Sequence, residues 1–387
     1  MLSADRTYDV IVAGGGIVGA ACAVAFAKEK LRVALIEREL LGGGATGAGM
    51  GHIVVMDDSE AQFALTRRSQ HLWHGLSGSL PASAEFETRG TIWVASDEEE
   101  LTEAQRKSAF LRDREVPSQI LSAAELASVE PNLQPGLAGG MLVPQDAVVY
   151  SPVVALFLAK QAQALGSDVI VGRSIVRLGH GEAQLDDGTS LRAARLVNAI
   201  GADAGACTAD LPIKKRKGHL AITDRYPDFV RHQLVELGYL KSAHSISTDS
   251  VAFNVQPRRT GQILIGSSRQ YGNEDPEINH EILSTMLLRA ALYMPAIEKL
   301  NVIRVWTGFR AATPDKLPLI GPAHGDSTLW LATGHEGLGI TTALATAELL
   351  ADAFAGREPS IPAEPYLPAR FDSPGSHETI FHHQEMS

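Results

Sequence analysis

Cysteine is almost absent: Cys22 and Cys207 are the only two in 387 residues. So few exclude a disulfide framework and a cysteine-rich metal centre, and also an iron–sulfur cluster ligated by this chain alone. Positive charge is scarce as well. The formal net charge is −11 and no basic run exceeds Lys214-Lys215-Arg216-Lys217, which speaks against nucleic acid as a partner. An uninterrupted apolar span is missing too. Val10–Ala27 is almost wholly apolar, but Gly14-Gly15-Gly16 break it, and Asp5 and Asp9 offset Arg6. Neither a signal peptide nor a transmembrane segment is expected, and the chain reads as cytoplasmic. His71 and His74 lack a third ligand, so no metal site is expected. Internal repeats are not visible.

What is present is an ordinary globular balance, 45% apolar and 20% charged residues, in a chain long enough for two structural regions. Tyr8–Ala13 reads as a buried strand, Ile17–Lys28 as a helix and Leu31–Ile36 as a second strand. Together they make one βαβ unit of parallel-crossover size. Ser59–Leu80 has helical spacing, and Thr91–Ala95 reads as a strand. Ser96-Asp97-Glu98-Glu99 reads as a capping box opening a helix to about Arg114. Ser151-Pro152 reads as an N-cap and first helical residue, for a helix ending near Gly166. Short strands are expected at Asp168–Val171, Ile175–Leu178, Glu182–Leu185 and Arg195–Ile200, with a turn at Asp187-Gly188. Residues 216–304 return to strand character in SVAFNV and QILIG, with a helix over Glu277–Met294. A last helix starts near Gly339, and the tail after Ala369 reads as irregular.

Gly14-x-Gly16-x-x-Gly19 stands between the first strand and helix. Gly14 permits the tight turn, Gly16 lets the backbone approach a pyrophosphate, and Gly19 allows close helix–strand packing. Glu37 follows the second strand, where a carboxylate binds a ribose hydroxyl and repels a 2′-phosphate. A glycine-rich loop, Gly42–Gly51, comes next instead of a further βα unit. It suits a longer cofactor lying against the chain, so FAD is favoured over NAD. A nicotinamide-binding module without flavin is the outside alternative.

The chain resembles the D-amino-acid-oxidase-like flavoenzymes over nearly its whole length. The resemblance rests on VIVAGGGIVGAACA, GGGATGAGMGHIVV, LVNAIGADA, VQPRRTGQILIGSS, TGFRAATPDKLPLIG and ATGHEGLGITTA. It implies an α/β fold: a Rossmann-like FAD-binding domain with an inserted substrate domain on a large mixed or antiparallel sheet. The expected division is 1–80, 145–215 and 305–369 for the flavin, 81–144 and 216–304 for the substrate, and 370–387 as tail. It also implies oxidation of a C–N bond beside a carboxylate, with hydride transfer to flavin N5. Within the family, GATGAGMGHIVVMDDS is most similar to flavin subunits of D-hydroxyproline or D-proline dehydrogenases.

Carried onto this sequence, the resemblance makes Arg310 the ligand of the substrate carboxylate, which a planar guanidinium can grip in a bidentate way. Non-covalent FAD would be held by Gly14, Gly16, Ile17, Val18, Gly19, Glu37, Arg38, Gly44, Ala45, Thr46, Met50 and Gly51. Ile175, Asn198, Ala199 and Gly201 would join them, with Gly334, His335, Gly337, Leu338, Gly339, Ile340 and Thr341. Backbone N–H groups from Leu338 to Thr341 would face flavin N1–C2=O and stabilise negative charge there. His52, Phe253, Tyr271 and Glu336 are the remaining pocket candidates, Glu336 as a partner for a substrate amine and equally as a structurally paired acid.

Gly308 stands where sarcosine oxidases have a flavin-linked cysteine, and Leu264 where they have an oxygen-activating lysine. These departures favour a dehydrogenase of a small D-amino or cyclic imino acid, passing electrons to an acceptor other than O₂. The rivals are a glycine- or sarcosine-type oxidase using O₂, and a flavin subunit that relays electrons within a multi-subunit dehydrogenase.

Overall fold

A computed structural model describes residues 7–238 and 249–371. Two large sheets organise the chain. In the first, Thr7–Ala13 lies between Val33–Glu37 and Ser190–Asn198, parallel to both. Asp168–Val171 continues the sheet in parallel on one side and Leu329–Thr333 on the other. The inner strands read VIVA and VALI because both of their faces are covered. One cover is the helix Ile17–Lys28, whose alanines and glycine let Ser151–Ala164 and Gly339–Ala355 pack closely on it. Leu319–Pro322 closes one edge antiparallel to Leu329–Thr333.

Among the described residues the second sheet has eight strands, in the order Val302–Ala312, Lys214–Thr223, Ile263–Arg269, Ser250–Pro257, Gln233–Glu236, Thr91–Ala95, Gly139–Val143, Gln119–Ser122. Among these described strands, only the Gln233–Glu236 and Thr91–Ala95 pairing is parallel. The helix His280–Tyr293 buries Leu283, Met286, Ala290 and Tyr293 with Phe253, Val255 and Ile265 of this sheet. The fold is thus mixed α/β, a sheet with a parallel centre and antiparallel additions joined to a mostly antiparallel one. Among the described residues no helix is long and apolar enough to cross a membrane.

Local details depart from the sequence reading where side chains chose between neighbouring roles. Asp97, not Ser96, caps Glu98–Asp113, accepting from the Glu100 amide at 2.8 Å. Ser96 instead donates both its N–H and its hydroxyl to the Glu100 carboxylate. Tyr150 precedes the helix Ser151–Ala164, because the Ser151 hydroxyl is turned to the Thr46 carbonyl at 2.9 Å. The expected strand Arg195–Ile200 is the longer Ser190–Asn198. The glycine-rich loop holds a short helix, Gly44–Ala48. A division at 304/305 would cut Val302–Ala312, one continuous strand of the second sheet. Of the expected tail, Arg370 and Phe371 belong to the 3-10 turn Pro368–Phe371, and residues 372–387 lie outside the described residues.

Candidate active site

A cavity of about 550 Å³ joins the glycine loop of the first sheet to the inner side of the second. At the loop end, Gly14 has a φ of +102°, and a Cβ there would lie 2.6 Å from the Ala199 carbonyl oxygen. A Cβ on Gly19 would lie 1.9 Å from the Gly14 oxygen. Gly15, not singled out from sequence, is needed as well: its Cβ would sit 2.8 Å from that of Glu37. The Glu37 carboxylate folds back on the loop, accepting from the Gly15 N–H at 2.7 Å and the Glu39 N–H at 2.9 Å. Thr46 ties the second glycine loop to the first, its hydroxyl accepting from the Ile17 N–H at 3.0 Å. Bare backbone at the start of Ile17–Lys28 is what a pyrophosphate requires.

Most of the expected cofactor residues line this one cavity. Gly14, Gly16, Ile17, Val18, Glu37 and Arg38 stand at the loop end, with Ile175, Ala199 and Gly201. Gly44, Ala45, Thr46, Met50, Gly51 and His52 line its middle, with Gly334, His335, Gly337, Gly339 and Ile340. Four residues do not line it. Gly19 serves packing only. Asn198 is fully buried, donating to Ala204 O at 3.0 Å and to the Thr208 hydroxyl at 2.9 Å, and it orders the turn rather than touching the cavity. The Leu338 N–H is taken by His335 O at 3.0 Å, and the Thr341 hydroxyl donates to His52 O at 2.9 Å. Helix geometry leaves the N–H groups of Gly339, Ile340 and Thr341 without intrahelical acceptors, and Gly339 and Ile340 line the cavity.

At the other end Arg310 reaches across its neighbouring strand. The ladder pairs Gly218 with Gly308 and Arg216 with Arg310. The guanidinium lies over Gly218, and Nη1 donates to Ser268 O at 3.0 Å on the strand beyond. Gly308 is dictated by packing, since a Cβ there would lie 2.4 Å from that of Ala48. Trp306 holds the same short helix, its indole N–H donating to Ala48 O at 3.3 Å.

Glu336 lines the cavity with a left-handed backbone, φ 51°. Its carboxylate forms an ion pair with the buried Arg216. Arg216 in turn donates from Nη1 to the Tyr271 hydroxyl at 2.5 Å. Tyr271 therefore stands behind Glu336 rather than on the cavity wall. Phe253 is corrected outright. It is fully buried on the opposite face of its strand, stacked on Tyr293 with ring centroids 4.5 Å apart. Side chains alternate along a strand, and Asn254 is the residue that lines the cavity.

Three histidines on the cavity wall are held uncharged. Burial pushes His52 down to about 3 and His335 down to about 4. His335 Nε2 pairs with the Thr346 hydroxyl at 3.0 Å. His219, also on the cavity wall, was not visible as a site residue in the sequence. Burial, then the charges of Lys217 and Arg310, lower it to about 4. Its Nε2 accepts from the Asn279 N–H at 3.0 Å, and Nδ1 lies 2.9 Å from the Ser268 hydroxyl. Leu264 is absent from this wall and lines a smaller cavity that shares Gly49 and Met50 with it.

A glycine cradle for a dinucleotide that ends beneath an arginine-bearing sheet defines a flavin-dependent oxidoreductase. A family model described as FAD dependent oxidoreductase (DAO) matches residues 9–353. Glycine oxidase of Pseudomonas aeruginosa is 29% identical over 376 residues, covering 93% of this chain and 98% of that protein. A hydrogen cyanide synthase subunit of Pseudomonas protegens is 27% identical, covering 95% and 97%. The crystal structure of glycine oxidase from Geobacillus kaustophilus superposes with a TM-score of 0.84 at 26% identity, covering 94% of this chain and 99% of that one. L-proline dehydrogenase from P. horikoshii shares the fold, with a TM-score of 0.82 at 22% identity over 95% and 98%. The chain belongs to the DAO family of FAD-dependent oxidoreductases, and FAD is its cofactor.

Proposed function

We propose that this enzyme oxidises the C–N bond of a small amino acid of the glycine or sarcosine type and passes the electrons to O₂. FAD, when bound, supplies the two-electron acceptor. The chain's own part is to hold the substrate. Arg310 takes its carboxylate through two parallel N–H donors, because Gly218 and Ser268 O hold the guanidinium at the cavity wall. That placement, in the same cavity as the glycine cradle, carries the reading. His52 and His219 stay uncharged and add no positive charge beside Arg310. The Arg216–Glu336 pair fixes the cavity wall beside Gly337. The first turn of Gly339–Ala355 offers its N–H groups to negative charge developing in the cavity.

The glycine oxidase relatives support O₂ as acceptor over the dehydrogenase reading. D-proline or hydroxy-D-proline remains the finer substrate reading from the segment GATGAGMGHIVVMDDS. The hydrogen cyanide synthase subunit supports a second reading, an electron-relaying flavin subunit. One experiment separates them. Anaerobic bleaching of the flavin band by glycine or sarcosine, then rapid reoxidation in air with peroxide release, is the expected result. Bleaching by D-proline alone with slow reoxidation overturns it in favour of the dehydrogenase. A flavin that no amino acid reduces supports the relay.

A further inference from the structure

We propose that Asn254 is a specificity-determining residue: its amide oxygen accepts a hydrogen bond from the substrate nitrogen while Arg310 holds the carboxylate. This rests on the amino-acid reading above.

Asn254 is 7% exposed and lines the cavity, yet its Oδ1 is buried without a hydrogen-bond partner. Ser267, on the adjacent strand, is 4% exposed and lines the same cavity with its hydroxyl in the same condition. Buried acceptors are ordinarily satisfied, and one that is not calls for a specific explanation. Here a ligand supplies the missing donor. The neighbouring strand leaves the amide uncovered, because Asn254 pairs with Gly266.

The spacing suits one small molecule. Arg310 crosses Gly218 and ends at Ser268 O, so its guanidinium lies against the strand Ile263–Arg269. Asn254 stands on the next strand, opposite a residue two positions before Ser268. One strand spacing and two residue rises put the Cα atoms of Asn254 and Ser268 roughly 8 Å apart. Arg310 and Asn254 both line the cavity, so one small molecule can lie between them. The polarity matches: donors at Arg310 for the carboxylate, an acceptor at Asn254 for the N–H. A neutral amide also differs from a carboxylate in what it does to the amine. An aspartate there would favour the protonated ammonium, whereas asparagine accepts an N–H without holding the proton on.

The test compares wild-type holoenzyme with Asn254→Leu and Asn254→Asp, using glycine and sarcosine as reductants. Acetate, a carboxylate without nitrogen, is titrated against the flavin spectrum. Asn254→Leu is expected to lower kcat/KM for both amines about 10- to 100-fold, while acetate binds within about 2-fold of wild type. Asn254→Asp is expected to move the acid limb of the kcat profile, which reports the bound amine, to higher pH, and it carries the test if the leucine variant loses FAD. The proposal is overturned if amine kinetics stay within about 2-fold in Asn254→Leu. It is also overturned if acetate weakens as much as glycine, or if the aspartate profile does not move. A wild-type flavin that glycine, sarcosine and D-proline all fail to reduce, yet that acetate perturbs, would instead remove the amino-acid reading.

Discussion

The side chain that Gly218 lacks and the guanidinium of Arg310 claim the same space. A Cβ at position 218 would lie 2.5 Å from Nη1 and 3.0 Å from Cζ. No cation placed on the strand Lys214–Thr223 would reproduce this, since the arginine gains its reach by starting one strand away. If Arg310 holds the substrate as proposed, Gly218→Ala acts on substrate through it. We expect KM for the amino-acid substrate to rise about tenfold or more, with FAD content unchanged, because a misplaced ligand forfeits its bidentate geometry. Steady-state kinetics beside the bound-flavin absorbance decide it, and an unchanged KM would show that the guanidinium tolerates the methyl.

Removing the guanidinium should cost more than displacing it. Arg310→Ala is expected to lower kcat/KM by about 2–5 kcal/mol, the range for deleting one partner of a desolvated charge pair. Arg310→Lys should recover only part of this, since an ammonium cannot supply two parallel donors. Both variants should retain FAD, because the cradle lies at the other end of the cavity. Kinetics indistinguishable from wild type would remove Arg310 from the site.

The cradle was legible because it is local: Gly14, Gly16, Gly19 and Glu37 lie within one βαβ unit, and their spacing states their job. Arg310, whose place on the cavity wall the structure shows, was expected there only through resemblance. What escaped depends on pairing between distant strands. Arg216 stood out only as part of the longest basic run, yet Arg216 and Lys217 are almost wholly buried in the second sheet. His219 acquires its environment from Ser268 and Asn279, 49 and 60 residues away. Phe253 was named and Asn254 missed because strand character alone does not say which parity faces in. A register irregularity between Val251 and Asn254 removes even that clue.

Gly308 gives a packing prediction. Gly308→Ala forces its methyl against Ala48, which has no side-chain freedom to yield. The cost is about 1–3 kcal/mol for overpacking. It should fall on the helix Gly44–Ala48, whose Thr46 ties the two glycine loops together. FAD affinity should weaken along with Tm, as read by flavin release on dilution and by thermal melts. A variant that binds FAD as tightly as wild type would show that this helix shifts without consequence.

The Arg216–Glu336 pair predicts an asymmetric response. Glu336→Gln leaves Arg216 almost completely buried without its counter-charge. Removing one partner of such a pair costs about 3–5 kcal/mol. The double change Arg216→Met with Glu336→Gln should recover much of that, because no charge is then stranded. Urea midpoints for the two variants and wild type make the comparison. Equal losses in the single and double variants would mean that the pair does not act as a unit.

Acid should destabilise the protein through its histidines. His52, His219 and His335 lie at about 3, 4 and 4 when folded, against 6.5 unperturbed. Below about pH 6.5 the unfolded chain binds protons that the folded chain refuses, so stability falls as pH drops toward 4. Asp146 opposes them. Its burial raises the carboxyl from 3.8 to about 7, so the folded state takes up its proton first and gains stability as pH falls from 7 toward 3.8. Three groups against one give a net loss, and Tm should decline between pH 6.5 and 4.5. Asp146→Asn removes the opposing group and should steepen that decline, whatever it does to Tm at pH 7. An acid limb that becomes shallower in Asp146→Asn would mean that Asp146 is ionised in the folded protein, held by Gln70 and the Val55 amide more firmly than burial resists.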